Sequence, residues 1–396
     1  MTIIGVEWSG SNSSPTLTRI GHDGTHATYS GPASGGTPFN AFGTWGNMQR
    51  VTVADDGSVT STWGSFCYSD SDTALGQVMV QIPAFLFWTD TLNYNSYGGH
   101  ARYYIADLSD IGQQITPYGI LVAPHVLSTS DIHPLFYVDG SFVENAYVGA
   151  FEGFLDPNTS LLTSVAGRLP STIDTNTDAR SYAENRGTGW ELTTIQALSA
   201  LQLLSMVENA TLNSQSAIGN GIVGASQPAN TGATGSTGTD QGNLSYGTGA
   251  NNTTAMSYRG VENLYGNLEM VVEGINISNY PTAYIAPQSR TRPVYYQWNE
   301  LGSPYVAGPN LVNSGSGGWI KAMAPGTGLF YLLPITSGGS SSTYFCDQTW
   351  MPSLSNMVLY QGGNYADGAG AGIFAQRYEQ VDTYPAGARL QYLPSA

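Results

Sequence analysis

The chain has 396 residues, 41% of them hydrophobic and 10% charged, which is long and apolar enough to bury a sizeable core. Twelve basic against 28 acidic residues give a net charge of −16, so a nucleic acid or an anionic lipid surface is excluded as the expected partner. Lys321 is the single lysine and the arginines are scattered, which leaves no basic patch to reverse that conclusion. Forty-nine glycines with 25 tyrosines and 8 tryptophans favour β-rich, loop-rich structure over helical bundles.

The opening MTIIGVEWSG has no basic region ahead of an apolar stretch, so no secretory signal is expected. No run reaches the ~18 apolar residues of a membrane helix; VMVQIPAFLFW is broken by Gln81 and Pro83. Residues 1–70 read as short β-segments forming a small N-terminal β-rich domain, with Asp56-Gly57 between VTVA and SVTSTW as a hairpin signal. From Gln77 a stronger apolar pattern begins, and NAYVGAFEG alternates as a strand with one buried face, so residues 71–396 are expected to form the main domain.

A first helix is expected over 178–185, with Thr177 as its cap and Gly187 just beyond. The second, ELTTIQALSALQLLSMVENA, has Ile195, Leu198, Leu201, Leu204 and Val207 at helical spacing and apolar residues around most of its circumference, as a core helix requires. Residues 219–256 are Gly/Ser/Thr/Asn-rich and poor in large apolar groups, which predicts a long surface loop. In SYRGVENLYGNLEMVVEGINI, Glu262 and Asn263 interrupt an apolar run, and their expected use is hydrogen bonding to backbone.

Cys67 and Cys346 lie far apart and match neither a disulfide framework nor a metal motif, so both are expected as free buried thiols. His22, His26, His100, His125 and His133 show no zinc spacing, and His133 in DIHP is expected to be structural. IGNGIVG lacks the lysine of a phosphate loop. The closing GGNYADGAGAGIFAQRYEQ combines small residues with Tyr365, Asp367, Gln376, Tyr378 and Glu379, and Ile373, Phe374, Ala388 and Leu390 are expected to anchor it inward.

Six segments in order, GQVMVQIPAFLFW, HPLFYVDGSFVENAYVGAFEG, ENRGTGWELTTIQALSALQLLSMVE, NSQSAIGNGI, SYRGVENLYGNL and GGNYADGAGAGIFA with GARL, resemble tail or minor structural proteins of bacterial and archaeal viruses. Those proteins are similar to the variable proteins of diversity-generating retroelements. The resemblance spans nearly the whole chain. It implies an α+β, C-type-lectin-like fold of the formylglycine-generating-enzyme type, with two core helices and long loops behind the β-rich N-terminal domain.

By position, the resemblance implies a ligand-binding surface of Trp350, Asn364, Tyr365, Asp367, Gln376, Tyr378, Glu379, Asp382 and Tyr384. Tyrosines among small polar groups give rigid contact area at low entropic cost. The implied role is a virion tail protein that attaches to a host-surface protein or glycan, with other tail proteins as partners and a homotrimer by analogy. The alternatives are a purely structural tail component and a host-encoded display protein of the same fold. An oxidase is not expected, because the catalytic cysteine pair of formylglycine-generating relatives is absent: Cys346 stands alone near the C-terminus. No cofactor is expected; calcium occurs in relatives of the fold, but no clustered Asp/Asn pattern places an ion.

Retroelement mutagenesis of Asn codons yields Tyr, Asp, Ala, Gly, Thr or Pro but not Gln or Glu. Tyr365, Ala366, Asp367, Ala375, Tyr378, Asp382 and Tyr384 agree with such an origin, and Gln376, Glu379 and Gln380 do not.

Overall fold

The computed structural model describes residues 3–9, 12–23, 38–92, 100–116, 124–235, 252–289, 305–313, 315, 317–326 and 329–395. Their architecture is α+β and predominantly β, with three main sheets around the helix formed by residues 195–209.

The first sheet is antiparallel, in the order Thr18–Gly21, Ile4–Ser9, His100–Asp107, Phe85–Leu92. A second has six strands, in the order Trp190–Leu192, Leu390–Tyr392, Asn145–Gly149, Gln77–Pro83, Gln49–Val53, Val59–Thr62. Its last two strands are the hairpin that Asp56-Gly57 predicts. Gly57 has φ of +87°, a conformation open to glycine at little steric cost. Both sheets mix strands from before and after residue 70, so the expected boundary between residues 1–70 and 71–396 corresponds to no break in the hydrogen-bonded frame. Strands of residues 1–70 complete sheets that later segments begin.

The third sheet has eight strands, in the order Val306–Asn310, Thr282–Ile285, Met270–Asn279, Met357–Gln361, Gln376–Gln380, Gln348–Trp350, Gly318–Gly326, Leu329–Ser337. Its two ends approach each other: Val312 N donates to Pro334 O at 3.0 Å, so the sheet is partly closed and barrel-like. Ile275, Ile285, Tyr331, Leu333, Leu359 and Tyr378 fill the interior, joined by Ile195 and Leu198. Inward and outward side chains alternate along each strand, which decides below which C-terminal residues can meet a ligand.

Four α-helices occur among the described residues: α1 (Gly43–Gly46), α2 (Asn176–Glu184), α3 (Ile195–Asn209) and α4 (Ser214–Ile218). The first of the two expected helices is α2, but its cap is Thr175 rather than Thr177: the Thr175 hydroxyl accepts from Asp178 N. The second is α3, capped by Thr194 and buried at every position except Asn209. Full burial of side chains such as Leu201 and Leu204 contributes about 1.5–3 kcal/mol each. The helix ends at Ala210, which takes the left-handed conformation at φ +50°.

A buried ion pair fixes the C-terminal half of α3 to the 257–277 segment. Arg259 donates to Glu208 through Nε at 3.0 Å and again through Nη2, and both side chains are fully buried. Glu262 accepts from Gly232 N at 2.7 Å, Thr234 N at 2.9 Å and Thr234 Oγ1 at 2.6 Å, which is the structural role expected of it. These bonds hold down residues 219–235, part of the predicted surface loop. Ile222, Val223, Thr231 and Thr234 are buried there, a correction to the reading from composition. Residues 236–251 of that loop lie outside the described residues.

His133 is fully buried against Phe85; its Nδ1 accepts from Leu135 N at 3.2 Å, and burial lowers its pKa to about 3. It is a neutral structural histidine. Cys346 is a buried free thiol as expected, whereas Cys67 is exposed, next to Phe66 at a loop tip.

Candidate functional face at the C-terminus

At Gly370 and Gly372 the Gly/Ala-rich run threads a space too narrow for a side chain. A Cβ added at Gly372 would lie 2.1 Å from Asp347 Oδ1, and one at Gly370 would lie 2.6 Å from Gln348 Oε1. Gly362 and Gly363 have φ of +98° and +73°, so the chain turns there out of the Met357–Gln361 strand.

The loop backbone is then fixed from several sides. Gln215 Nε2 donates to Gly368 O at 2.9 Å and Ala371 O at 2.7 Å, and Gln202 Nε2 donates to Ile373 O at 2.9 Å. Ile373 N donates to Ser214 Oγ at 3.1 Å, and Phe374 N donates to Asp347 Oδ2 at 2.8 Å. Ile373, Phe374, Ala388 and Leu390 are buried, the inward anchoring expected of them. A frame secured by backbone bonds and buried anchors tolerates changes in its outward side chains.

Along Gln376–Gln380 the period of two separates residues that the sequence reading grouped together. Gln376 and Tyr378 are both fully buried and face the barrel interior. Tyr378 Oη donates to Gln376 Oε1 at 2.6 Å, and Gln376 Nε2 donates to Leu332 O at 2.9 Å. Neither reaches solvent, which corrects their expected outward placement. Arg377 and Glu379 point the other way and are half-buried.

Arg377 is the centre of what lies on the outer side. Its guanidinium stacks over the Trp350 ring at 4.6 Å and the Tyr384 ring at 5.3 Å. It donates through Nε to Glu269 Oε2 at 2.8 Å, and Nη1 lies 3.6 Å from Glu379 Oε1. Tyr384 Oη donates to the same Glu269 oxygen at 2.9 Å. Burial pushes Glu269 up to about 7 against the opposing pull of Arg377, and Asp367 adds to the rise by repulsion. Asp367 is therefore within electrostatic reach of Glu269 and Arg377.

The remaining residues flank this centre. Asn364, Tyr365 and Asp367 are half-buried on the loop, where Asp367 Oδ2 accepts from Asn364 N at 2.8 Å. Tyr365 is pinned by its backbone: its N donates to Asn267 O at 3.0 Å, and its O accepts from Ala225 N at 2.8 Å. Asp382 is exposed, yet its carboxylate accepts from Thr177 N and Thr177 Oγ1, both at 3.2 Å, at the start of α2. A carboxylate is favoured at a helix N-terminus.

Seven of the nine sequence-predicted residues thus reach the surface or its margin, and two are interior. Arg377 and Glu269 were missed. Arg377 follows from the alternation once Tyr378 is placed inward, whereas Glu269 lies more than a hundred residues upstream and has no local signal.

No family model matches the chain, and no curated protein matches it. Among solved structures the chain is similar to the Major Tropism Determinant U1 variant, with 14% sequence identity and a TM-score of 0.27 over 98% of this chain and 82% of that chain, a likeness that falls short of a shared fold.

Proposed function

We propose that this chain is a viral tail protein of C-type-lectin-like fold, of the type varied by diversity-generating retroelements, and that it attaches to a host-surface protein or glycan through its C-terminal face. One observation carries the reading. Arg377 lies against two aromatic rings over a buried glutamate, on the Gln376–Gln380 strand beside a loop whose backbone is fixed independently of its outward side chains. The six ordered segments noted above support the viral assignment, and the missing cysteine pair supports a binding role without oxidase chemistry.

Asp367, Glu379 and Asp382 stand at the face, with Arg377 paired to the buried Glu269, so it favours a basic or hydroxyl-rich partner surface over an acidic one. Trp350, Tyr365 and Tyr384 supply rigid apolar area of the kind that dominates binding hot spots. The test is adsorption of the purified chain to cells that its virus infects. Trp350→Ala, Tyr365→Ala and Glu379→Ala together are expected to abolish adsorption and leave the fold intact by circular dichroism. Undiminished adsorption of that folded variant overturns the reading.

A further inference from the structure

A concave site lies beyond the other end of α2 from the C-terminal face. Thr177, in the first turn of α2, meets Asp382 of the C-terminal face, whereas Arg186, just past its C-terminus, faces a cleft of about 340 Å³. A nine-residue helix spans roughly 13 Å, so the two sites are separate. The volume is at the lower end of small-molecule pockets, roughly 300–1,000 Å³.

A tight glycine and a buried arginine hold the walls. Gly76, at φ +121°, would place a Cβ 2.2 Å from Val53 O, so glycine lets the 73–75 turn close against the end of the Gln49–Val53 strand. Arg186 is 9% exposed, and its guanidinium donates to Leu162 O at 2.5 Å and to Asp55 Oδ1 at 2.6 Å. Asp156 is close enough to act on Arg186 electrostatically.

The donor and acceptor inventory then selects the ligand. Thr163 Oγ1 donates to Phe154 O at 2.8 Å, so toward the cleft its hydroxyl serves as an acceptor, while Thr60 Oγ1 is engaged by Leu75 O at 2.5 Å and Thr52 Oγ1 at 2.7 Å. Asp55 and Asp156 add carboxylate oxygens. An acceptor-rich lining needs a ligand rich in O–H donors. Two carboxylates repel a phosphate or carboxylate ligand, and the guanidinium between them disfavours an ammonium.

We propose that this cleft binds a small neutral saccharide, with Asp55 and Asp156 accepting from its hydroxyls and Arg186 donating to its oxygens. The site is distinct from the C-terminal face and does not depend on the receptor reading.

Saturation-transfer NMR on the full chain tests it, using glucose, galactose, N-acetylglucosamine and their β-linked disaccharides, with inorganic phosphate and lysine as charged controls. Saturation transfer to at least one neutral sugar is expected, with affinity falling about tenfold or more in Ala74→Trp and in Thr159→Trp. Both substitutions are at exposed rim positions and are expected to leave the melting temperature unchanged. The proposal is overturned if no sugar in the panel binds, if binding survives both rim substitutions, or if phosphate or lysine is the preferred ligand.

Discussion

Arg377 and Tyr378 are adjacent in sequence and opposite in environment, and the consequences of changing them differ accordingly. Tyr378→Phe removes the hydroxyl that donates to Gln376 Oε1 and leaves that oxygen unpaired in the barrel interior. A loss of about 1–3 kcal/mol in chemical denaturation is expected, with adsorption of the folded protein unchanged. Glu152 gives a pH-dependent counterpart. It is fully buried beside Arg389, accepts from Asn263 Nδ2 at 2.9 Å and Leu268 N at 3.0 Å, and burial pushes its pKa up to about 7 from 4.5. A raised carboxylate keeps its proton longer in the folded state, so its contribution to stability is full below about pH 4.5 and is lost as pH rises through 7. Glu152→Gln lacks that loss. The stability of the variant relative to wild type should therefore rise between pH 4.5 and 7, by on the order of 3 kcal/mol, when denaturation is measured at each pH.

At the scale of elements, the Gly/Ala run is a fitted part rather than a slack one. Gly372→Ala drives a methyl group into Asp347, whose carboxylate holds Phe374 N. A destabilisation of about 1–3 kcal/mol is expected, with lower melting temperature as the readout. The same elements show what a sequence can disclose. Helix α3 was legible because burial on all sides leaves an apolar pattern within fifteen residues, and the Asp56-Gly57 hairpin because its turn is local. The small-residue frame and its anchors Ile373 and Phe374 were legible for the same reason. Residue type alone groups Gln376 and Tyr378 with the outward side chains, whereas the alternation of the strand turns both inward. The sheet orders were not legible: Leu390–Tyr392 pairs with both Asn145–Gly149 and Trp190–Leu192, a choice made by packing between distant segments. Glu269 entered the face by the same non-local route.

For the whole molecule, the core matters more than any boundary near residue 70. One hydrophobic cluster runs from Ile3 to Leu393 and includes Val78, Val80, Leu201 and Phe374. The Gln49–Val53 strand pairs along its whole length with residues 77–81 of the Gln77–Pro83 strand, so removing residues 1–70 uncovers a central strand of the six-stranded sheet. A fragment of residues 71–396 is expected to lose cooperative unfolding and the near-ultraviolet circular dichroism of its packed aromatics; a fragment melting as the full chain does would contradict this. The same frame positions the C-terminal face. Hydroxyl-radical footprinting of the chain, free and bound to the envelope of host cells, tests the central claim most directly. Protection of Trp350, Tyr365 and Tyr384, with the buried Tyr378 unreactive in both states, is the predicted result. Unchanged reactivity at those three residues while the chain is bound would contradict it.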